Sequence, residues 1–134
     1  MTPISISIHP NKDLDSSVEP QFFTLRELCY TKLNEDNTPT TFTQVANLRA
    51  LADFLDEIRL QFGYPIWVNS AFRTPKVNAL VGGSPHSLHK QGRACDVWCA
   101  SDHVDELIEI LRKNRNQMCE FIVNKDKHYI HCAI

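Results

Sequence analysis

The sequence predicts an α+β fold, a small antiparallel sheet flanked by helices. Three observations predict it. The stretch between Thr41 and Gly63 repeats its apolar residues at helical spacing. Residues 65–70 and 93–100 have strand character and are separated by segments that do not. The chain then ends in two strand-like runs joined by a polar turn. Helices and strands interleave, with no internal repeat. A length of 134 residues suits one domain with one core.

The elements follow in order. Residues 1–20 read as an N-terminal arm, and residues 21–134 as the single domain. In the arm, Ile4, Ile6 and Ile8 alternate with Ser5 and Ser7, which predicts a short edge strand. Residues 11–20 are polar and loop-like. Thr24 and Glu27 have the spacing of a capping box and open a short helix with Leu25, Leu28 and Cys29 on one face. Residues 34–41 form a loop rich in Asn, Thr and Pro. Thr41 and Gln44 form a second capping box. Val45, Leu48, Leu51, Leu55, Ile58 and Phe62 follow as a core stripe, and Gly63 stops the helix.

Residues 65–70 read as a buried strand. Thr74 caps a short helix with Pro75 at its first position, and Gly82-Gly83 ends it in a loop. Residues 84–92 stay loop-like. Residues 93–100 form a strand with Ala94, Asp96 and Trp98 on one face and Cys95, Val97 and Cys99 on the other. Ser101 caps a helix carrying Val104, Leu107, Ile108 and Leu111. Residues 120–123 and 129–133 form a hairpin across residues 124–127.

Composition narrows the function. Hydrophobic residues make up 43% and charged residues 22%, an ordinary globular balance. The net charge of −2 offers no basic surface for nucleic acid. No apolar run is long enough to span a membrane. The opening residues lack a basic n-region and an apolar h-region, so no secretory signal is read and synthesis in the cytoplasm is expected. The five cysteines are odd in number and include no CxxC pair. They suggest neither a disulfide framework nor a Cys-rich zinc knuckle, but buried, reduced thiols. A monomer is expected.

The chemistry gathers around His89, Asp96 and His131. His89 ends a Gly-flanked loop, Asp96 lies in the next strand and His131 in the last. Two adjacent strands and a loop can bring these side chains around one ion. Two imidazoles and a carboxylate leave a fourth position for water, the pattern of a catalytic zinc rather than a structural one. Spacing alone permits this without requiring it. His128 lies three residues before His131, so a regular strand would point the two to opposite faces. Unless His128 sits at the bend where the strand begins, it is a surface histidine in a Lys-rich turn. Arg73 follows a strand and could hold a substrate carboxylate or carbonyl, or form a structural salt bridge. His86 reads as a rim residue. His9 and His103 read as surface residues without acidic or histidine partners.

The run Val68-Asn69-Ser70-Ala71-Phe72-Arg73-Thr74-Pro75 is followed by Val77-Asn78 and Val81-Gly82-Gly83. The pattern SxHxxGxAxD is then filled by Ser87, His89, Gly92, Ala94 and Asp96, and Tyr129-Ile130-His131 closes the set. Together these resemble the M15 zinc peptidases. That family comprises D-Ala-D-Ala carboxypeptidases and phage endolysin peptidases of the Hedgehog/DD-peptidase fold. The resemblance runs from about Phe23 to the C-terminus.

It implies zinc ligands His89, Asp96 and His131, substrate binding or polarisation by Arg73, and support from Ser87. The family's base is often an acidic residue three positions before the last histidine. Here that position holds His128, whose ordinary pKa suits a base near neutrality. Glu120 is the acidic alternative. Phe72 stands for the more usual Tyr, Ala71 for Gly, Cys95 for Ala, and Cys132 for Ile or Val. The resemblance further implies hydrolysis of peptidoglycan stem peptides or crosslinks, by a carboxypeptidase or an endopeptidase. A phage or prophage lysin fits such a chain. The alternative is a non-catalytic, zinc-containing module of the same fold that binds cell-wall peptide or protein.

Overall fold

A computed structural model describes residues 22–134. The strand expected over residues 4–8 and the rest of the arm lie outside the described residues. Helix α1, Leu25–Leu28, begins where Thr24 Oγ accepts from the Glu27 N–H at 3.1 Å. Helix α2, Phe42–Phe62, carries the full Thr41–Gln44 capping box and ends on Gly63 in the left-handed conformation, φ 82°. That conformation costs other residues a Cβ clash, which is why glycine stops the helix there. The predicted stripe is buried along the whole of α2.

Strand β1, Trp67–Ser70, leads to α3, Pro75–Leu80, capped by Thr74 with Pro75 in its first turn. A 3-10 turn, Leu88–Gln91, precedes strand β2, Ala94–Trp98. A second such turn, Ser101–His103, runs into α4, Val104–Lys113, and a third spans Arg115–Gln117. Strands β3, Glu120–Asn124, and β4, Tyr129–Ala133, close the chain as the predicted hairpin.

The sheet is antiparallel in the order β1-β2-β4-β3. Cys95, Val97, Ile130 and Cys132 belong to one buried cluster with the apolar faces of α2 and α4. Asp96 and His131 are paired across β2 and β4 and so share the opposite, open face. An α+β fold with a small antiparallel sheet is what the sequence predicts.

Several details differ. Among the described strands, the one expected to be buried lies at the edge of the sheet, with Trp67 46% exposed and an irregular register between Val68 and Ser70. The loop around His89 contains a 3-10 turn. Ser101 makes no cap bond, and α4 begins three residues later without a side-chain cap. Asp105 and Glu106 instead place negative charge in its first turn, where the helix dipole favours it. His103 does have partners: its ring stacks on Tyr64 at 3.7 Å and its Nδ1 lies 3.4 Å from Glu106. All five cysteines are free thiols. Three of them are buried, whereas Cys119 is exposed.

Candidate metal centre

The centre is built from the sheet outward. Asp96 lies at the middle of β2, directly opposite His131 on β4. His131 Nδ1 sits 2.8 Å from Asp96 Oδ1. His89 arrives from the 3-10 turn, where Ser87 Oγ accepts from the His89 N–H at 3.2 Å. Gly92 ends that turn at φ 75°, close against α2, where a Cβ would come within 2.8 Å of the Gln44 carbonyl. Only glycine satisfies both demands. The turn thereby delivers a buried His89, with Nε2 3.3 Å from Asp96 Oδ1. One ligand atom from each of the three residues lies within 4.8 Å of the others.

The outer nitrogens define what the inner ones can do. His89 Nδ1 is 2.6 Å from the Ala71 carbonyl, an acceptor, so it must carry the proton. That leaves Nε2 as a lone pair facing Asp96. His131 Nε2 is 2.8 Å from Glu120 Oε1, so it too is placed to donate, which frees Nδ1 toward the same carboxylate. Three acceptor atoms therefore converge on one point. Such a set needs a cation between its members, or a proton. With a proton in that place, the hydrogen bond to Asp96 raises the His131 pKa to about 9, against the opposing effect of burial and with help from Glu120. Burial pushes the Asp96 carboxyl up, but hydrogen bonds and charge from His131 and His89 outweigh it and hold it well below the ordinary range. A zinc ion fits this donor set of two imidazoles and one carboxylate.

Arg73 borders the centre. Its backbone N–H donates to the His89 carbonyl at 3.0 Å. Its guanidinium is held on three sides: Nη2 donates to Asp96 Oδ2 at 3.3 Å, Nε to Ser70 Oγ at 3.0 Å, and Nη1 to Asn78 Oδ1 at 3.2 Å. The structural salt bridge that the sequence allowed is present, and through Asp96 it sets Arg73 beside the centre. Asn78 is buried and also donates to the Ser84 carbonyl at 2.8 Å. Gly83 lies so near that a Cβ there would run into the Asn78 side chain.

His128 and Glu120 take different places. His128 is exposed at the end of the hairpin turn, with φ 57°, and is not among the converging residues. Its ring stacks on Trp98 at 5.3 Å, and its carbonyl accepts from Asn69 Nδ2 at 3.3 Å. Trp98 lies two residues from Asp96 on β2 and therefore on the same face. Glu120 faces His131. Cys95 and Cys132, which flank two of the candidate ligands, are buried on the other face. The hydrogen bond to Cys132, together with burial, keeps the Cys95 thiol protonated.

The sequence reading missed Asn37, buried in the loop after α1. Asn37 Nδ2 donates to the carbonyls of Cys29 at 2.9 Å and Phe72 at 2.8 Å, and its Oδ1 accepts from the Thr74 N–H at 2.9 Å. The one sequence signal was an Asn among turn residues, which does not separate an exposed turn from a buried brace. His86, read as a rim residue, is exposed.

No helix among the described residues is long and apolar enough to cross a membrane. No curated protein matches the chain at a significant level. A family model described as Peptidase M15 matches residues 21–133, which takes in every residue of the centre and both faces of the sheet. With that match over most of its length, the chain belongs to the M15 peptidases, a zinc-dependent family.

Proposed function

We propose that the protein is a zinc peptidase that hydrolyses a peptide bond in peptidoglycan stem peptides or crosslinks, with His89, Asp96 and His131 as metal ligands. The observation that carries this reading is the convergence of three acceptor atoms whose imidazole partners already have their outer nitrogens engaged. Family membership supplies the peptidase activity. The substrate class rests on the resemblance to D-Ala-D-Ala carboxypeptidases and endolysin peptidases.

Bound zinc would polarise the scissile carbonyl and lower the pKa of a bound water toward 7. Arg73, already fixed by Ser70, Asn78 and Asp96, stabilises the negative charge that develops on the carbonyl oxygen. Its preset geometry means little reorganisation is needed as that charge appears. The His128 imidazole takes a proton from the attacking water and returns one to the leaving amine. Its place on the Trp98 ring, on the open face, supports this role. Glu120 positions His131 instead of acting as the base, and Ser87 holds the turn that presents His89.

The test is digestion of purified peptidoglycan and of peptides ending in D-Ala-D-Ala by the zinc-loaded protein, with products identified by mass spectrometry. Cleavage next to a D-residue is expected, reduced by about 100-fold or more in His128→Ala and abolished in His131→Ala. Intact substrates under metal-replete conditions would sink the peptidase reading. A second reading follows from the exposed histidine at the base position. It is a zinc-containing module that binds cell-wall peptide, and stoichiometric zinc with binding but no turnover would support it.

A further inference from the structure

We propose that Asn69 is a positioning residue for His128, and that it sets the imidazole on Trp98 beside the metal centre. This rests on the reading of His128 as the base.

The register of the sheet gives Asn69 its place. Ser70, Asp96, His131 and Ile122 lie opposite one another across β1, β2, β4 and β3, so one row of the open face carries the centre. In β1, Val68 pairs with Val97 and Ser70 pairs with Asp96. Asn69, between them, is an extra residue with no partner on β2, a β-bulge. A bulge breaks the alternation of a strand and re-aims a side chain. Asn69 is exposed, and its amide reaches across β2 to the start of β4, where Nδ2 donates to the His128 carbonyl at 3.3 Å. Ser70, the next residue, accepts from Arg73 Nε at 3.0 Å. One bulge therefore serves both the residue that takes the proton and the residue that steadies the oxyanion.

His128 needs such a hold. Among the described residues it is the one non-glycine residue with a positive φ, at 57°. That conformation is sparsely populated outside glycine and persists where neighbours fix it. The turn fixes one side: the His128 N–H donates to the Lys125 carbonyl at 3.2 Å, and the Lys127 N–H to Asn124 Oδ1 at 3.0 Å. Asn69 fixes the other side through the carbonyl. With the peptide groups before and after it both held, the side chain leaves the turn in one direction. Its ring lies 5.3 Å from the Trp98 ring and 13° from parallel. Trp98 is two residues beyond Asp96 on β2, roughly 6–7 Å along the strand.

The experiment uses the full, zinc-loaded chain. Asn69→Ala removes the donor, Asn69→Gln keeps one on a longer arm, and His128→Ala removes the imidazole. The His128 ring protons are followed by NMR, since the Trp98 ring current shifts them upfield while the two rings are stacked. Zinc affinity is measured alongside kcat and KM on the D-Ala-D-Ala peptide or, where only the polymer is cut, on solubilised peptidoglycan. In Asn69→Ala the His128 signals should move downfield, and kcat should fall about three- to tenfold, the size of one net hydrogen bond. KM should stay within about twofold, because the ground-state complex does not use the base. Zinc affinity should not change. Asn69→Gln should recover much of both the shift and the turnover. Unmoved signals in Asn69→Ala would overturn the assignment whatever the turnover. So would moved signals with full turnover where His128→Ala is impaired, or a loss that falls on KM instead of kcat. Moved signals with full turnover in both Asn69→Ala and His128→Ala would keep the positioning and remove His128 as the base. No cleavage by the wild-type protein would remove the peptidase reading, and the ring signals alone would then decide the positioning.

Discussion

Glu120 holds His131 by the nitrogen that faces away from Asp96, at 2.8 Å. A carboxylate in that place fixes the tautomer and the ring plane, and makes the inner nitrogen a better ligand. The Glu120 side chain is 44% exposed, so its Coulomb contribution is screened and its main effect is on orientation. Glu120→Ala should lower zinc affinity by roughly 10- to 100-fold, read by competition with a chromophoric chelator. Glu120→Gln keeps a carbonyl acceptor and should lose less. Wild-type affinity in the alanine variant would mean that the strand alone orients His131. From the sequence Glu120 was legible only as an acidic residue near the last histidine. Its actual role depends on the register of β3 against β4, where Glu120 pairs with Ala133 and so lies two places along from His131 on one face. Short-range spacing does not contain that register.

At the scale of elements, Asn37 ties together the end of α1, the exit from β1 and the start of α3 through the three bonds described above. Removing its amide leaves two carbonyls and one N–H without that partner. Asn37→Ala should therefore cost about 1–3 kcal/mol, measured as a lower urea midpoint with an unchanged slope. Because Phe72 and Thr74 flank Arg73, the variant should also lose turnover beyond what its folded fraction explains. An unchanged urea midpoint would show that the loop closes without this brace. The contrast with α2 shows what the sequence could disclose. Helix α2 was legible end to end, because its apolar stripe, its Thr41–Gln44 box and Gly63 all report on the same local geometry. The 3-10 turn under His89 is only four residues long and has no periodicity to read. Strand β1 looked buried because Ile66, Trp67 and Val68 are apolar, yet its exposure is decided by which strand lies beyond it, and among the described residues none does. The three candidate ligands were legible as residue types in a recognisable pattern. Their convergence came from the β2–β4 pairing and from the close approach of Gly92 to α2.

For the whole molecule, the centre and the core lie on opposite faces of the same sheet. His89, Asp96 and His131 come from three separate elements, so a bound ion links segments far apart in the chain. An ion that binds only the folded state stabilises it by mass action, by about 4 kcal/mol when free zinc exceeds its Kd 1,000-fold. Chelation should therefore lower the melting temperature, on the order of 10 °C for a domain of this size. That shift should vanish in His89→Ala. The core, however, does not include the centre: Leu48, Leu51, Leu55, Leu107, Leu111 and Ile130 are buried with no part in it. The chelated protein should stay folded at room temperature, keep its near-ultraviolet circular dichroism, and regain its melting temperature when zinc returns. A chain that lost its tertiary signal on chelation would contradict this, since it would make the metal a condition of folding. Retained structure with recovered stability is the outcome expected of a metal added to a sheet whose other face already holds the fold together.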